Sequence, residues 1–235
     1  MSAPGFVPTR QLVLVDLLAL ILGTRPGQRA VVAVDGPDGV GKTHLAQELV
    51  ALAGHVAGRA VQTVSVDGFH HPRAHRYARG RTGQTCYQDS YDYEALRARV
   101  LRPFRAGRDI VPAAFDVAAD VPVDPAPVAL PEDALLLVEG VFLRRPELRG
   151  EWDATCLVTA PAPVSVPRGN ARFPASRVAG DEDPAHPANE RYVEAQRLYR
   201  LQARTWPPEW IVDNTDLQRP ELVWPDPDEP QWFEQ

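Results

Sequence analysis

Lysine is almost missing from this chain of 235 residues: Lys42 stands alone among 25 Lys plus Arg. Methionine is as scarce, with Met1 only, and cysteine is limited to Cys86 and Cys156. Two cysteines seventy positions apart, with no CxxC, build neither a disulfide framework nor a zinc ribbon, and a reducing, cytoplasmic setting is expected. Long apolar runs are lacking as well. The longest near the N-terminus, Leu12 to Leu22, is broken by Asp16 and is too short to span a bilayer. It has neither a basic flank nor a small-residue cleavage site, so no membrane segment and no signal peptide are expected. An excess of positive charge is also absent. The formal net charge of -6 excludes a general nucleic-acid binder, whose footprint is a basic domain. The arginines must act locally, in small groups.

What is present is ample material for a core, since 44% of the residues are hydrophobic. Apolar residues at 12, 13, 17, 20 and 21 fall at helical spacing and predict an amphipathic helix over Pro8 to Leu22. "AVVAVD" (30–35), "RAVQTVSVD" (59–67), "ALLLVEG" (134–140), "DATCLVTA" (153–160) and "WIVDNTD" (210–216) read as strands. Between them, 42–53, 92–104 (ending at Pro103) and 189–203 read as helices. Strands alternating with helices imply a doubly wound, mostly parallel sheet in three layers, whose ligands bind at the carboxyl ends of strands. Asp35, Asp67 and Glu139 all stand at such ends. Residues 117–133, with four prolines, read as a surface connection. Residues 161–187, with six more and "DEDP", read as a mobile lid. The expected organisation is one domain over 1–220 and a Pro-rich acidic tail over 221–235, pendant or strapped down by Trp224 and Trp232.

The strongest local signal is "GPDGVGKT" (36–43), which fits G-x-x-x-x-G-K-[ST]. Glycines let successive N–H groups turn inward around phosphate oxygens, and the following helix offers its N-terminus to the same anion. Gly36, Pro37, Asp38, Gly39, Val40, Gly41, Lys42, Thr43 and His44 are therefore the expected nucleotide contacts. Lys42 would reach the β- and γ-phosphates, and the Thr43 hydroxyl would ligate Mg²⁺. A chance match in a chain this long occurs on the order of one time in a hundred or less. Because Lys42 is the only lysine, N-K-x-D is absent and guanine recognition by that route is excluded. The remaining reading is a small-molecule kinase, which needs a carboxylate near the acceptor hydroxyl, cations over the phosphoryl group and a lid.

Six blocks in order, "GPDGVGKT", "SVDGFHH" (65–71), "DSYDYEAL" (89–96), "PAAFD" (112–116), "LLLVEGVFL" (135–143) and "RYVEAQRLY…VDNTD" (191–216), resemble the uridine kinase-like group of P-loop kinases. That group includes phosphoribulokinase and bacterial pantothenate kinase, and the resemblance runs from about 28 to 216. It implies that Asp67 receives the acceptor hydroxyl proton, that Phe69, His70, Phe115 and Asp116 border the acceptor pocket, and that Glu139 lies near Mg²⁺. The family's lid helix is matched only in Arg168 and Arg172. Pro167 and Gly169 fall inside it, and Phe173 replaces the usual Asp. A proline within a helix costs about 3 kcal/mol, so a kinked or partly unwound lid is expected. His44 stands where a second Thr is common.

Other clusters carry weaker expectations. His70, His71 and His75 beside Arg73, Arg76, Arg79 and Arg81 read as a polar loop over the acceptor, or else as surface charge or a metal site. Tyr87, Tyr91 and Tyr93 could stack a nucleobase or simply pack. Asp89 is a candidate for ribose hydroxyls, Asp92 reads as a helix cap, and Arg191, Arg197 and Arg200 as a solvated helix face. The expected activity is ATP- and Mg²⁺-dependent phosphoryl transfer to a hydroxyl of a small metabolite, with a nucleoside as leading acceptor. The alternatives are pantothenate or a sugar phosphate as acceptor, or a nucleotide-binding protein that has lost catalysis. No nucleic-acid or membrane partner is expected, and the sequence carries no signal for oligomeric state.

Overall fold

The computed structural model describes residues 9–56 and 58–226. In chain order the elements are α1 (Arg10–Leu22), β1 (Ala30–Asp35), α2 (Lys42–Ala53), β2 (Val61–Ser65), α3 (Arg73–Arg76), α4 (Gly83–Asp89) and α5 (Tyr93–Leu96). There follow α6 (Arg102–Arg105), β3 (Phe115–Asp116), β4 (Val121–Pro122), β5 (Leu135–Gly140), β6 (Ala154–Thr159), α7 (Ala162–Ala171), α8 (Glu190–Ala203), β7 (Trp210–Asp213) and β8 (Glu221–Val223).

The main sheet runs β2-β5-β1-β6-β7-β8, its first five strands parallel and β8 antiparallel to β7. Every residue of β1, β5 and β6 is buried, the pattern of strands covered on both faces. Strand alternation sorts these side chains into two cores. Val31, Ala33, Leu136 and Val138 face Leu96, Val100, Leu101, Phe104, Ala195 and Tyr199. Val32, Val34, Leu135 and Leu137 face Leu17, Leu18, Ile21, Leu45 and Leu49 of α1 and α2. Each fully buried Leu or Val contributes about 1.5–3 kcal/mol, so the three-layer α/β architecture follows from the apolar runs themselves. Among the described residues no helix is long and apolar enough to cross a membrane. Cys86 and Cys156 are free and buried.

Several elements differ from the sequence reading. The helix expected to stop at Pro103 runs on to Arg105, because a π turn over Arg97–Leu101 opens the hydrogen-bond ladder ahead of the ring. The Arg99 carbonyl accepts from Val111 N–H at 2.9 Å instead of from the missing proline donor. The lid segment, expected to be kinked or unwound, keeps one α-helix, α7, with Pro167 inside it. The rest of 161–187 is built around buried Asp181. Its carboxylate accepts from Arg177 Nε at 2.7 Å and Val178 N–H at 3.0 Å, and its carbonyl accepts from Asn170 and Asn189. The tail placed at 221–235 begins with β8, the edge strand of the sheet. Trp224 is exposed, so it does not strap that segment down, and Trp232 lies outside the described residues.

Candidate active site

The loop between β1 and α2 lies at the carboxyl end of the central strand. Gly36 opens it with φ 150°, and a Cβ there would overlap the Val158 carbonyl. Gly39, at φ 77°, lies so close under α7 that a Cβ would overlap the Ser165 carbonyl and come within 2.6 Å of Gly169 N. α2 starts after Gly41 with no side-chain cap and no acid in its first turn, which leaves its N–H groups and dipole to an anion. The buried Lys42 ammonium donates to the Pro37 carbonyl at 2.7 Å. The lone lysine therefore sits folded over its own loop.

Glu139 stands beside Ser65 of β2 and Val34 of β1 in the sheet register, 3% exposed. It accepts from Thr43 Oγ1 at 3.2 Å. Burial, reinforced by the Asp67 charge, pushes its carboxyl above the ordinary range against the pull of Ser65, Lys42 and Thr43. A buried carboxylate, a hydroxyl and an ammonium converging on one loop form the donor set that an Mg²⁺-bound triphosphate requires. Thr43 and Glu139 would hold the cation, and Lys42 the phosphate oxygens.

Asp67 follows β2 in a 3-10 turn, exposed, with its N–H directed at Ser65 Oγ (3.3 Å). Tyr91 donates its hydroxyl to Asp67 Oδ1 at 3.1 Å. Burial and then the Asp67 charge raise the Tyr91 phenol well above its usual value, so it remains a donor. His70 Nδ1 meets the Asp67 carbonyl at 2.9 Å, and its ring lies 4.3 Å from that of Tyr91. Burial holds the imidazole below its ordinary pKa despite Asp67, which favours the neutral ring.

The remaining expected residues are placed elsewhere. Phe69 is fully buried in the core, because the 3-10 turn points it inward while Asp67 faces out. Tyr87 is buried against Phe142, with its hydroxyl donated to Gln202, so it offers no face to a base. Phe115 is also buried. The Asp116 carboxylate accepts from Ala118 and Ala119 N–H and so closes a turn. Asp89 is paired with Arg79 at 2.6 Å, and Asp92 caps α5 as read from the sequence. His44 is exposed and points along α2 towards Glu48, 3.7 Å away, rather than at the loop. Arg168 donates to the Asn214 and Thr215 carbonyls at 2.9 and 2.7 Å, and Arg172 lies exposed over Phe173. Through Arg168, α7 is latched to the 214–215 turn.

One support of the loop was missed in the sequence, and another was given a different role. Asn214 is fully buried, donates to the Val40 carbonyl of the phosphate loop at 2.6 Å, and receives Arg10. Its only signal was an amide directly after a buried strand. Asp35, expected at a ligand end, instead accepts from Leu143 N–H and the Tyr199 hydroxyl and braces the core side of the loop.

The chain is 32% identical over 136 residues to a pantothenate kinase from Streptomyces avermitilis, a match covering 55% of this chain and 40% of that relative. The chain therefore spans less than half the length of the curated relative it matches. No protein-family model matches. Its structure is similar to that of a possible uridine kinase from Bacillus stearothermophilus, with a TM-score of 0.66, 23% identity, and coverage of 84% of this chain and 96% of that one. It is also similar to a D-glycerate 3-kinase from Cryptococcus neoformans var. grubii, with a TM-score of 0.60, 14% identity, and coverage of 92% and 98%. The likeness to these solved structures is one of fold: a three-layer α/β architecture around a mostly parallel sheet, with the phosphate loop of this chain at the carboxyl end of the central strand.

Proposed function

We propose that the protein is an ATP- and Mg²⁺-dependent kinase that phosphorylates a hydroxyl of a small metabolite. The observation that carries this is the convergence of Lys42, Thr43 and Glu139 on one loop, with the exposed Asp67 close by, its N–H on Ser65 Oγ and Ser65 beside Glu139 in the sheet. A bound Mg²⁺, held by Thr43 and Glu139, would supply charge neutralisation on the phosphates. Asp67 accepts the acceptor's hydroxyl proton as the oxygen bonds to the γ-phosphorus and the bond to the β–γ bridging oxygen breaks. Tyr91 fixes the orientation of Asp67 by its hydrogen bond, and Lys42 stabilises charge on the transferring group. α7 roofs Gly39 and excludes water from the loop.

A nucleoside acceptor would want an aromatic face, and Tyr87 and Tyr91 are both buried. That favours the alternative acceptors, pantothenate or a sugar phosphate, which have no base to stack. The reading without catalysis rests on the altered lid block; α7 is one helix despite Pro167, while Arg168 is engaged by the 214–215 turn. Asp67→Asn tests the assignment. Binding of a fluorescent ATP analogue should persist, while ADP release with a panel of hydroxylated metabolites falls by about 10²–10⁴-fold. Undiminished turnover would remove Asp67 from the chemistry.

A further inference from the structure

The turn that leaves β5 gathers all three acids of the strand ends. Glu139 lies on β5 itself. Gly140 comes next, at φ 156°, and a Cβ there would stand 2.0 Å from Val66 Cγ1, beside the residue that precedes Asp67. Leu143 N–H donates to Asp35 Oδ1 at 3.2 Å. Arg144 N–H donates at 3.0 Å to the Tyr199 hydroxyl, which is in turn donated to Asp35 Oδ2. Between these contacts stands Phe142, at φ 64°.

Among the described residues Arg25 and Asp120 are the other non-glycine positions with positive φ, and neither is buried. Phe142 is 3% exposed. A bulky side chain crowds its own backbone in the left-handed region, and a position serving core packing alone has no reason to bear that cost. Such strain persists where the surroundings over-determine it. Here the Leu143 and Arg144 N–H groups hold the backbone on one side, and three tyrosine rings hold the side chain on the other. The Phe142 ring meets Tyr87 at 5.2 Å and 86°, Tyr199 at 5.3 Å and 63°, and Tyr91 at 6.4 Å and 72°, each edge to face. Tyr199 is the residue that bonds Asp35, and Tyr91 the one that bonds Asp67. His70 also lies against Tyr91, at 4.3 Å, but it caps the 3-10 turn that carries Asp67 and so offers no independent reference. Phe142 does, because its turn continues the strand that carries Glu139.

We propose that Phe142 is a positioning residue for phosphoryl transfer: from its strained turn it sets the Tyr91 ring, and through the Tyr91 hydroxyl it sets the Asp67 carboxylate relative to Glu139. This rests on the kinase reading above and adds to it a side chain with no polar atom to offer a substrate. Phe142→Leu removes the ring and keeps the site apolar, and Tyr91→Phe removes the hydroxyl and keeps the ring. Phe104→Leu is the control, a fully buried phenylalanine of the same core whose carbonyl is held by Arg29, at the amino end of β1. The full chain and each variant are compared by urea unfolding, by affinity for a non-hydrolysable ATP analogue with Mg²⁺, and by ADP release with a panel of hydroxylated metabolites.

Phe142→Leu should lower kcat by on the order of ten- to a hundredfold while acceptor KM and analogue affinity barely change. Tyr91→Phe should do the same, and the double variant should lose no more than the worse of the two, as expected of residues acting through one path. Phe104→Leu should lose stability and keep its kcat. A readout free of turnover comes from carbon-13 labelling of the tyrosine Cζ atoms, with Tyr91 assigned by the signal that Tyr91→Phe removes. That signal should shift or broaden in Phe142→Leu and stay in place in Phe104→Leu. Should Phe142→Leu fail to fold, Phe142→Met, closer in volume, carries the same comparison. Additive losses in the double variant, a kcat loss in Phe104→Leu as large as in Phe142→Leu, or an unmoved Tyr91 signal would each overturn the proposal. A Tyr91 signal that moves in Phe142→Leu, in a wild type that transfers phosphate to no compound, would sink the kinase reading and leave the brace from Phe142 to Asp67 standing.

Discussion

At the scale of single residues the sheet places charge where folding alone would not. Glu139 is buried beside Ser65, Thr43 and Lys42, and burial outweighs their help, so its folded pKa lies above the unfolded one. The folded protein thus binds this proton more tightly than the unfolded chain does. The cost of holding the carboxylate ionised is present above the folded pKa and disappears as pH falls below the unfolded value. Glu139→Gln keeps an oxygen for the Thr43 hydroxyl and removes that cost. The variant should melt above the wild type at neutral pH, the gap should close as pH falls through the carboxylate range, and Mg²⁺-dependent transfer should be lost. Thermal melts across pH decide it, and a wild type that is the more stable form at neutral pH would show that Lys42 outweighs burial. Lys42 and Thr43 were legible from the spacing of "GPDGVGKT", and Asp67 and Glu139 from acids at the carboxyl ends of strand-like runs. That Phe69 and Phe115, carried over from the resemblance, and Tyr87, left open between stacking and packing, are buried was not legible, since the sequence does not say which way a short turn points an aromatic ring.

At the scale of elements, apolar periodicity was enough to find β1, α2, β5, β6 and α8 within a residue or two. Proline penalties misled twice, at Pro103 and Pro167, because a local cost of about 3 kcal/mol can be offset by contacts distant in sequence. At Pro103 the π turn and Val111 supply the compensation. At α7 it comes from the phosphate loop below and the latch from Arg168 to the 214–215 turn. The two glycines at that contact should therefore behave oppositely. Gly39→Ala puts a methyl into the Ser165 carbonyl at a positive φ, and should cost at least about 1–2 kcal/mol and weaken ATP binding. Gly169→Ala meets backbone atoms of Gly39 and Asp38 at 3.6 Å or beyond, ordinary contact, and should stabilise α7 by up to about 1 kcal/mol. Urea denaturation with parallel ATP titration separates them, and a harmless Gly39→Ala would mean that α7 does not rest on the loop in solution.

At the scale of the whole molecule the phosphate loop is held from the far side of the sheet. Asn214, which follows β7, donates to the Val40 carbonyl, Arg10 of α1 reaches Asn214 and the Leu217 carbonyl, and the Arg10 N–H bonds to the Gln218 carbonyl. β7 is in turn paired along its outer edge by β8, in the register Ile211↔Val223, Val212↔Leu222 and Asp213↔Glu221. Composition hid this strand, since "PELVWPDPDEP" reads as a proline-rich tail, and three residues are too few to show alternation. Its strandedness is imposed by β7, whose buried residues leave an open row of backbone donors and acceptors for a neighbour to fill. A chain ending at Pro220 should thus be less stable than one ending at Val223. At about 1 kcal/mol per ladder hydrogen bond, plus the packing of Leu222 against the α1–α2 core, the difference should be roughly 2–4 kcal/mol. Because β7 carries Asn214, the shorter chain should also bind ATP more weakly while its acceptor selectivity is unchanged. Denaturation curves and ATP titrations of the two chains measure both effects, and equal stability with equal affinity would show that β8 covers the sheet edge without supporting the loop.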